Sequence, residues 1–406
     1  MCWGEKRYYS LDYYLKETFH EKLYKLSLNA GCTCPNRDGT CGSRGCIFCS
    51  RGGSGDFAAS PFLSIAEQLR SEKARIASKY RGHAYIAYFQ AYTNTYGSVN
   101  VLERTFFQAI EDPEVKVLSI ATRPDCLPPE ILNLLERLNR IKPVWIELGL
   151  QTIHTSTAAY IRRGYPLSVF EEAVRTLRAI GISVIVHTIL YLPGESKAQM
   201  LETIEYLNLQ EIQGIKLQLL HVLRDTDLYN DYQRYPFPLP SMEEYLDFLG
   251  TCLCALRPDI VVHRLTGDGP KPLLVAPLWT SNKRLVLNQM GKVLDVYKRQ
   301  CLHNRNQVVL FFHQTAKPCL IVDNIRFLKL SHDFFKTNQQ IFQFVKHLLI
   351  PPHFLLLYCT RRLLHGQALP DPFLPGSAQN LSLIHIFHTS FWAIIYITAN
   401  PLEIIE

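Results

Sequence analysis

The chain has 406 residues, 47% apolar and 19% charged, which suits a globular protein with one large core or two modest ones. Its formal charge of +7 nearly vanishes over residues 1–294, where 33 Lys/Arg face 30 Asp/Glu without a dense basic stripe, so a dedicated nucleic-acid surface is disfavoured. No apolar run is long enough to cross a bilayer and no signal-type segment follows Met1, so a cytoplasmic chain without membrane contact is expected.

In chain order, Leu23–Leu28 reads as a short strand running into a cysteine-rich loop, and Ile65–Lys79 as a helix. Strand and helix then alternate: Tyr85–Phe89 and Val101–Ile110, then Val115–Ala121 and a helix opened by Pro128 and Pro129 that runs to about Leu138. Val144–Leu150 precedes a helix at Val169–Ile180, closed by Gly181. The β-branched Ser183–Leu192 precedes Lys197–Leu209, and Ile215–Leu220 precedes Met242–Leu256. Six strand–helix units predict an α/β fold of parallel βαβ crossovers, closing into a partial barrel with ligands at the C-terminal ends of the strands. A doubly wound open sheet is the competing arrangement, but no GxGxxG follows any strand.

The composition changes near residue 295. The last 112 residues hold eleven of the 21 phenylalanines and two of the 21 glycines. DVYKRQ (295–300) and LSLIHI (381–386) can be encoded by one DNA string, GATGTGTATAAGAGACAG, and its reverse complement. That string resembles a transposon end used as a sequencing adapter. Residues 295–406 are therefore read as adapter-derived, and 301–380 are expected not to form a compact domain. The expected organisation is a barrel over 1–257 with its cysteine loop at 31–50, and an extension of it over 258–294.

Five of the twelve cysteines, Cys32, Cys34, Cys41, Cys46 and Cys49, fall within eighteen residues, a density that points to metal binding. Cys34, Cys46 and Cys49 form C-x11-C-x2-C on a glycine-rich loop. A tight C-x2-C pair with a third, distant thiolate suits an iron–sulfur cluster with one iron left open. The competing reading is zinc, closed by Cys32 or Cys41 as a fourth thiolate.

CPNRDGT, GC-x2-C, FQAYTNTY, TRPDC, ELGLQT, RRGY, LPGE, GIKLQLLH and APLW follow one another in this order. Over about residues 5–290 the set resembles a bacterial radical S-adenosylmethionine (SAM) family of undetermined reaction. That family is similar to the radical SAM part of the Elongator catalytic subunit and to oxygen-independent coproporphyrinogen oxidase. The resemblance implies a partial (β/α)6 TIM-like barrel, a [4Fe–4S] cluster on Cys34, Cys46 and Cys49, and SAM on the open iron. It also implies a reductant such as flavodoxin or ferredoxin, and an unknown substrate, either RNA or a small molecule.

By the same resemblance Gln90, Tyr92, Thr93 and Asn94 occupy the loop that holds the methionyl amine, with Tyr92, Thr93 and Asn94 replacing the usual glycines. Glu147 and Gln151 match positions facing SAM, and Arg163 of RRGY matches an arginine near its carboxylate. Among catalytic candidates, Cys126 is expected on the reactive face as a hydrogen donor or an inert thiol. His187 and Lys216 project from apolar strands, where they either line the site or are satisfied core groups. Thr122, Arg123 and Asp125 orient substrate or cap the next helix, and the Pro193–Gly194–Glu195 turn caps the helix after it. His221 lies close behind the sixth strand, and His263 and Arg264 are expected at the open side of the barrel. The alternative to an enzyme is a non-catalytic metal-binding or RNA-binding adaptor on the same barrel.

Overall fold

The computed structural model describes residues 3–4, 6–267, 269–294, 383–389 and 392–398, the last two ranges by their backbone alone. The chain divides into two units, Met1–Val308 and Val309–Glu406. Within the second, strands β10 (Leu383–Thr389) and β11 (Trp392–Thr398) pair antiparallel. The expectation for residues 301–380 lies outside the described residues.

The first unit is built on a seven-stranded, all-parallel sheet curled into a half-barrel. Its strands, in spatial order, are β1 (Tyr24–Leu28), β2 (Tyr85–Phe89), β3 (Val115–Thr122), β4 (Val144–Gln151), β5 (Ser183–Leu190), β6 (Gly214–Leu219) and β8 (Val261–Arg264). Helices α2 (Ile65–Ile76), α3 (Val99–Glu111), α4 (Pro129–Asn139), α6 (Leu167–Ala179), α7 (Lys197–Asn208) and α9 (Met242–Ala255) follow the strands. Their starts are written locally: Ser64 with Glu67, Ser196 with Gln199 and Ser241 with Glu244 form reciprocal capping boxes. Apolar stripes such as Leu102, Phe106, Ala109 and Ile110 of α3 then seat the helices on the outer face of the sheet.

The predicted strands and helices recur within three residues at either end, and the structure adds further elements. Helices α1 (Leu11–Phe19), α5 (Thr155–Tyr160) and α8 (Asp227–Arg234) lack a broad apolar stripe; α1 and α8 bury only Leu15 and Leu228. β8 is a seventh strand, paired to β6 rather than forming a loose closure. Beyond it, β9 (Leu274–Ala276) pairs with β7 (Val222–Leu223), and residues 283–294 form a helix that buries Val286, Met290 and Leu294 in the main core. Among the described residues no helix is long and apolar enough to cross a membrane.

Strand alternation fills the barrel interior in layers. At the N-terminal end, Leu23, Ile86, Val117, Trp145 and Ile185 pack together and are plugged by Leu15 of α1. Two residues further along the same strands stand Lys25, Tyr88, Ser119, Glu147 and His187, joined by Lys216. An apolar plug below and a charged layer above give the barrel a dry base and a polar floor.

Candidate functional site

The cysteine loop is shaped by its own backbone. The Cys34 carbonyl accepts from Arg37 N at 2.8 Å and Asp38 N at 3.2 Å, and the Cys46 carbonyl from Cys49 N at 3.0 Å, which turns both cysteine segments sharply. Gly45 sits at φ +76°, and a Cβ there would lie 2.9 Å from Arg37 Nε, so the loop requires glycine at this point. Arg37 Nη2 ties the loop shut by donating to the carbonyls of Cys49 (3.0 Å) and Ser50 (2.5 Å). Asn36 Nδ2 donates to Cys46 Sγ at 3.4 Å and to the Arg162 carbonyl at 2.7 Å, joining the loop to the RRGY segment.

Cys34, Cys46 and Cys49 line one cavity of about 240 Å³ at the C-terminal ends of the strands. Cys32 and Cys41 are not in its wall; Cys41 is exposed, and burial pushes the Cys32 thiol up to about 11. Among the described residues no three His, Cys, Asp or Glu side chains converge as ligands of a single ion.

Of the expected cofactor contacts, Gln90, Tyr92, Thr93, Glu147, Gln151 and Arg163 all line this cavity. Gln90 Nε2 donates to the Ser54 carbonyl at 2.8 Å. Tyr92, at φ +60°, is fixed by its N–H to the Gly53 carbonyl (2.9 Å) and its hydroxyl to that of Arg51 (2.5 Å). Asn94 stands outside the wall, because its amide donates to the Phe89 and Ala121 carbonyls (3.1 and 3.0 Å) and braces two strand ends. Arg163 is 4% exposed; it donates to the carbonyls of Leu150, Thr152 and Tyr165, which orient the guanidinium without neutralising it. Gln151 is held at φ +69°, and its Oε1 is buried without a hydrogen-bond partner.

The catalytic candidates separate into two places. His187 and Lys216 meet at Glu147 on the cavity floor. The Glu147 carboxylate is fully buried and accepts from Lys25 Nζ (3.0 Å), Ser119 Oγ (2.9 Å), His187 Nε2 (2.7 Å) and Lys216 Nζ. Burial opposes its charge, but Lys216, Lys25 and His187 together hold it well below the usual carboxylate range. Lys216 also donates to the Tyr88 hydroxyl at 3.1 Å. Burial, with Lys216 beside it, pulls His187 down to about 4, so its ring is neutral at pH 7. Cys126 is buried and is not part of the cavity wall; burial and Asp125 push its thiol up to about 12.

Two turn assignments need correction. Asp125 does not cap α4, whose N-cap, Pro128, has no side-chain bond; it instead takes both Nε and Nη2 of Arg123, at 2.9 and 2.6 Å. Ser196, not the Pro193–Gly194–Glu195 turn, caps α7, and Glu195 accepts from Thr152 Oγ1 at 2.5 Å. Thr122 shares a 2.5 Å hydroxyl bond with Thr95. His221 and Arg264 line the cavity, whereas His263 packs beneath it on the Trp145 ring at 5.4 Å. Sequence reasoning missed Asn36, Arg37 and Lys25. The signals were present: Asn36 and Arg37 lie between Cys34 and Cys46, and Lys25 interrupts an apolar strand on its inward-facing side.

Residues 37–207 match the Radical SAM superfamily and residues 212–295 the Radical_SAM C-terminal domain. The uncharacterized protein YtqA of Bacillus subtilis is 42% identical over 291 residues, covering 72% of this chain and 90% of that protein. The chain belongs to the radical SAM superfamily. Protein YhcC of Escherichia coli is 35% identical, over 69% of this chain and 90% of that protein. The archaeal Elp3 of Methanocaldococcus infernus has a similar fold, with a TM-score of 0.51 and 18% identity over 56% of this chain and 59% of that one. This radical SAM protein is thus an enzyme of undetermined reaction.

Proposed function

We propose that this radical SAM protein holds a [4Fe–4S] cluster on Cys34, Cys46 and Cys49, and that SAM binds in the cavity these cysteines share with Gln90, Thr93, Gln151 and Arg163. One observation carries the reading: among the described residues, the cysteines in the cavity wall are those three, at the mouth of a parallel half-barrel. Held by those cysteines, with one iron left for SAM, such a cluster would supply the electron for reductive C–S cleavage of SAM to a 5′-deoxyadenosyl radical that abstracts hydrogen.

The protein's own groups fit that cargo. Arg163, oriented by three carbonyls, offers a cation to a carboxylate, and the orphan Oε1 of Gln151 offers an acceptor to a donor group. Arg37 seals the loop behind Cys49, and Asn36 steadies Cys46. A one-electron carrier such as flavodoxin or ferredoxin supplies the reducing equivalent, and the chain works in the cytoplasm.

Anaerobic reconstitution of the full chain with iron and sulfide tests this. The expected product contains about four iron and four sulfide per chain. With dithionite and SAM it slowly releases 5′-deoxyadenosine. Cys34→Ala, Cys46→Ala and Cys49→Ala each lose both, while Cys41→Ala keeps both. Stoichiometric zinc without visible iron–sulfur absorption would overturn the proposal and favour the adaptor.

A further inference from the structure

We propose that Arg37 is a positioning residue with two roles: its charge raises the reduction potential of the cluster, and its forked guanidinium couples the cysteine loop to the loop of Tyr92. The inference deepens the reading above and rests on it.

The placement begins in the loop itself. Arg37 follows Cys34 by three residues, and the turn closed on the Cys34 carbonyl carries its side chain back to the segment that holds Cys46 and Cys49. There Nη2 donates to the carbonyls of Cys49 (3.0 Å) and Ser50 (2.5 Å), which fixes the guanidinium. Gly45 leaves room for it: a Cβ there would stand 2.9 Å from Nε and 3.2 Å from Nη2. The Tyr92 ring lies with its centroid 5.7 Å from the guanidinium carbon. Tyr92 is itself pinned to the Gly53 and Arg51 carbonyls, so one cation joins the cysteine segment to the loop that begins at Gln90.

The guanidinium also reaches the Cys49 side chain. Burial opposes its charge, while Cys49, Tyr92 and Cys34 favour it by more. Arg123, a second cation set against Cys34 and Cys46, differs: its Nε and Nη2 both go to Asp125, which balances the charge in place. Arg37 is held by carbonyls and an aromatic face, which orient a cation without carrying a full countercharge. Three thiolates and an added electron concentrate negative charge beside it, so a fixed cation there favours the reduced state.

The test compares the reconstituted full chain with Arg37→Lys, which keeps the charge without the fork, and Arg37→Gln, which removes the charge. Redox titration followed by electron paramagnetic resonance, without SAM, should place Arg37→Lys near the wild type and Arg37→Gln at a clearly more negative potential. Anaerobic calorimetry without reductant should show both variants binding SAM about tenfold more weakly, because both release Tyr92. Cluster assembly in Arg37→Lys but not in Arg37→Gln would also support the charge role. Loss of the cluster in both, an equal shift in both, or no shift in Arg37→Gln would overturn it. Wild-type SAM affinity in Arg37→Lys would overturn the coupling. A wild-type chain without iron–sulfur absorption sinks the cluster reading before any variant is compared, so the two failures are separately visible.

Discussion

Asn36 donates an amide N–H to the sulfur of Cys46 at 3.4 Å, while the same nitrogen holds the Arg162 carbonyl at 2.7 Å. One side chain therefore links Cys46 to the segment that carries Arg163. The wall behind this link is crowded: a Cβ on Gly164 would lie 2.7 Å from Asn36 Oδ1 and 3.2 Å from Arg123 Nη2.

An N–H···S bond stabilises the more negative, reduced state of an iron–sulfur cluster. Asn36→Leu should therefore shift the cluster potential to more negative values and slow reductive SAM cleavage. A redox titration followed by electron paramagnetic resonance checks this. An unchanged or raised potential would show that the contact has no electronic consequence.

Gly164 has φ +82°, a backbone region that costs an L-residue about 1–2 kcal/mol before any collision is counted. Gly164→Ala should lower the unfolding midpoint and reduce iron incorporation, because the added methyl displaces Asn36 and Arg123. Paired thermal melts and iron assays measure both effects. Wild-type stability in this variant would contradict the packing described here.

His187 titrates at about 4 in the folded protein, against 6.5 as its ordinary value. The unfolded chain takes up this proton below pH 6.5 and the folded chain only near pH 4. Stability present above pH 6.5 is therefore lost progressively as pH falls through that window, by about 3 kcal/mol in total. His187→Gln, which keeps an N–H donor but does not titrate, should flatten the decline between pH 7 and pH 5 in denaturant unfolding. An identical pH slope in both proteins would rule out this role.

The strands and main helices were legible because each is a local pattern. Apolar-rich runs such as Tyr85–Phe89 and Val117–Ala121 are buried on both faces of a parallel sheet, and Ser-x-x-Glu/Gln boxes announce helix starts. The cysteine loop was legible for the same reason: Cys34, Cys46 and Cys49, which line one cavity, fall within one short segment. Helices α1, α5 and α8 were not, since they carry too little apolar stripe to stand out from loops.

Glu147, His187 and Lys216 were each visible as lone polar residues in apolar strands, and nothing near them in the chain shows which ones meet. Lys25 reaches Glu147 across 122 positions, and Lys216 reaches it from two strands away. By itself the sequence determined the parallel α/β architecture and the cysteine triad, since short-range periodicity and spacing encode both. Only the tertiary structure decided that four strands each deliver a hydrogen-bond donor to one carboxylate. Register between distant strands is set by the packing of the whole barrel, and no local pattern records it.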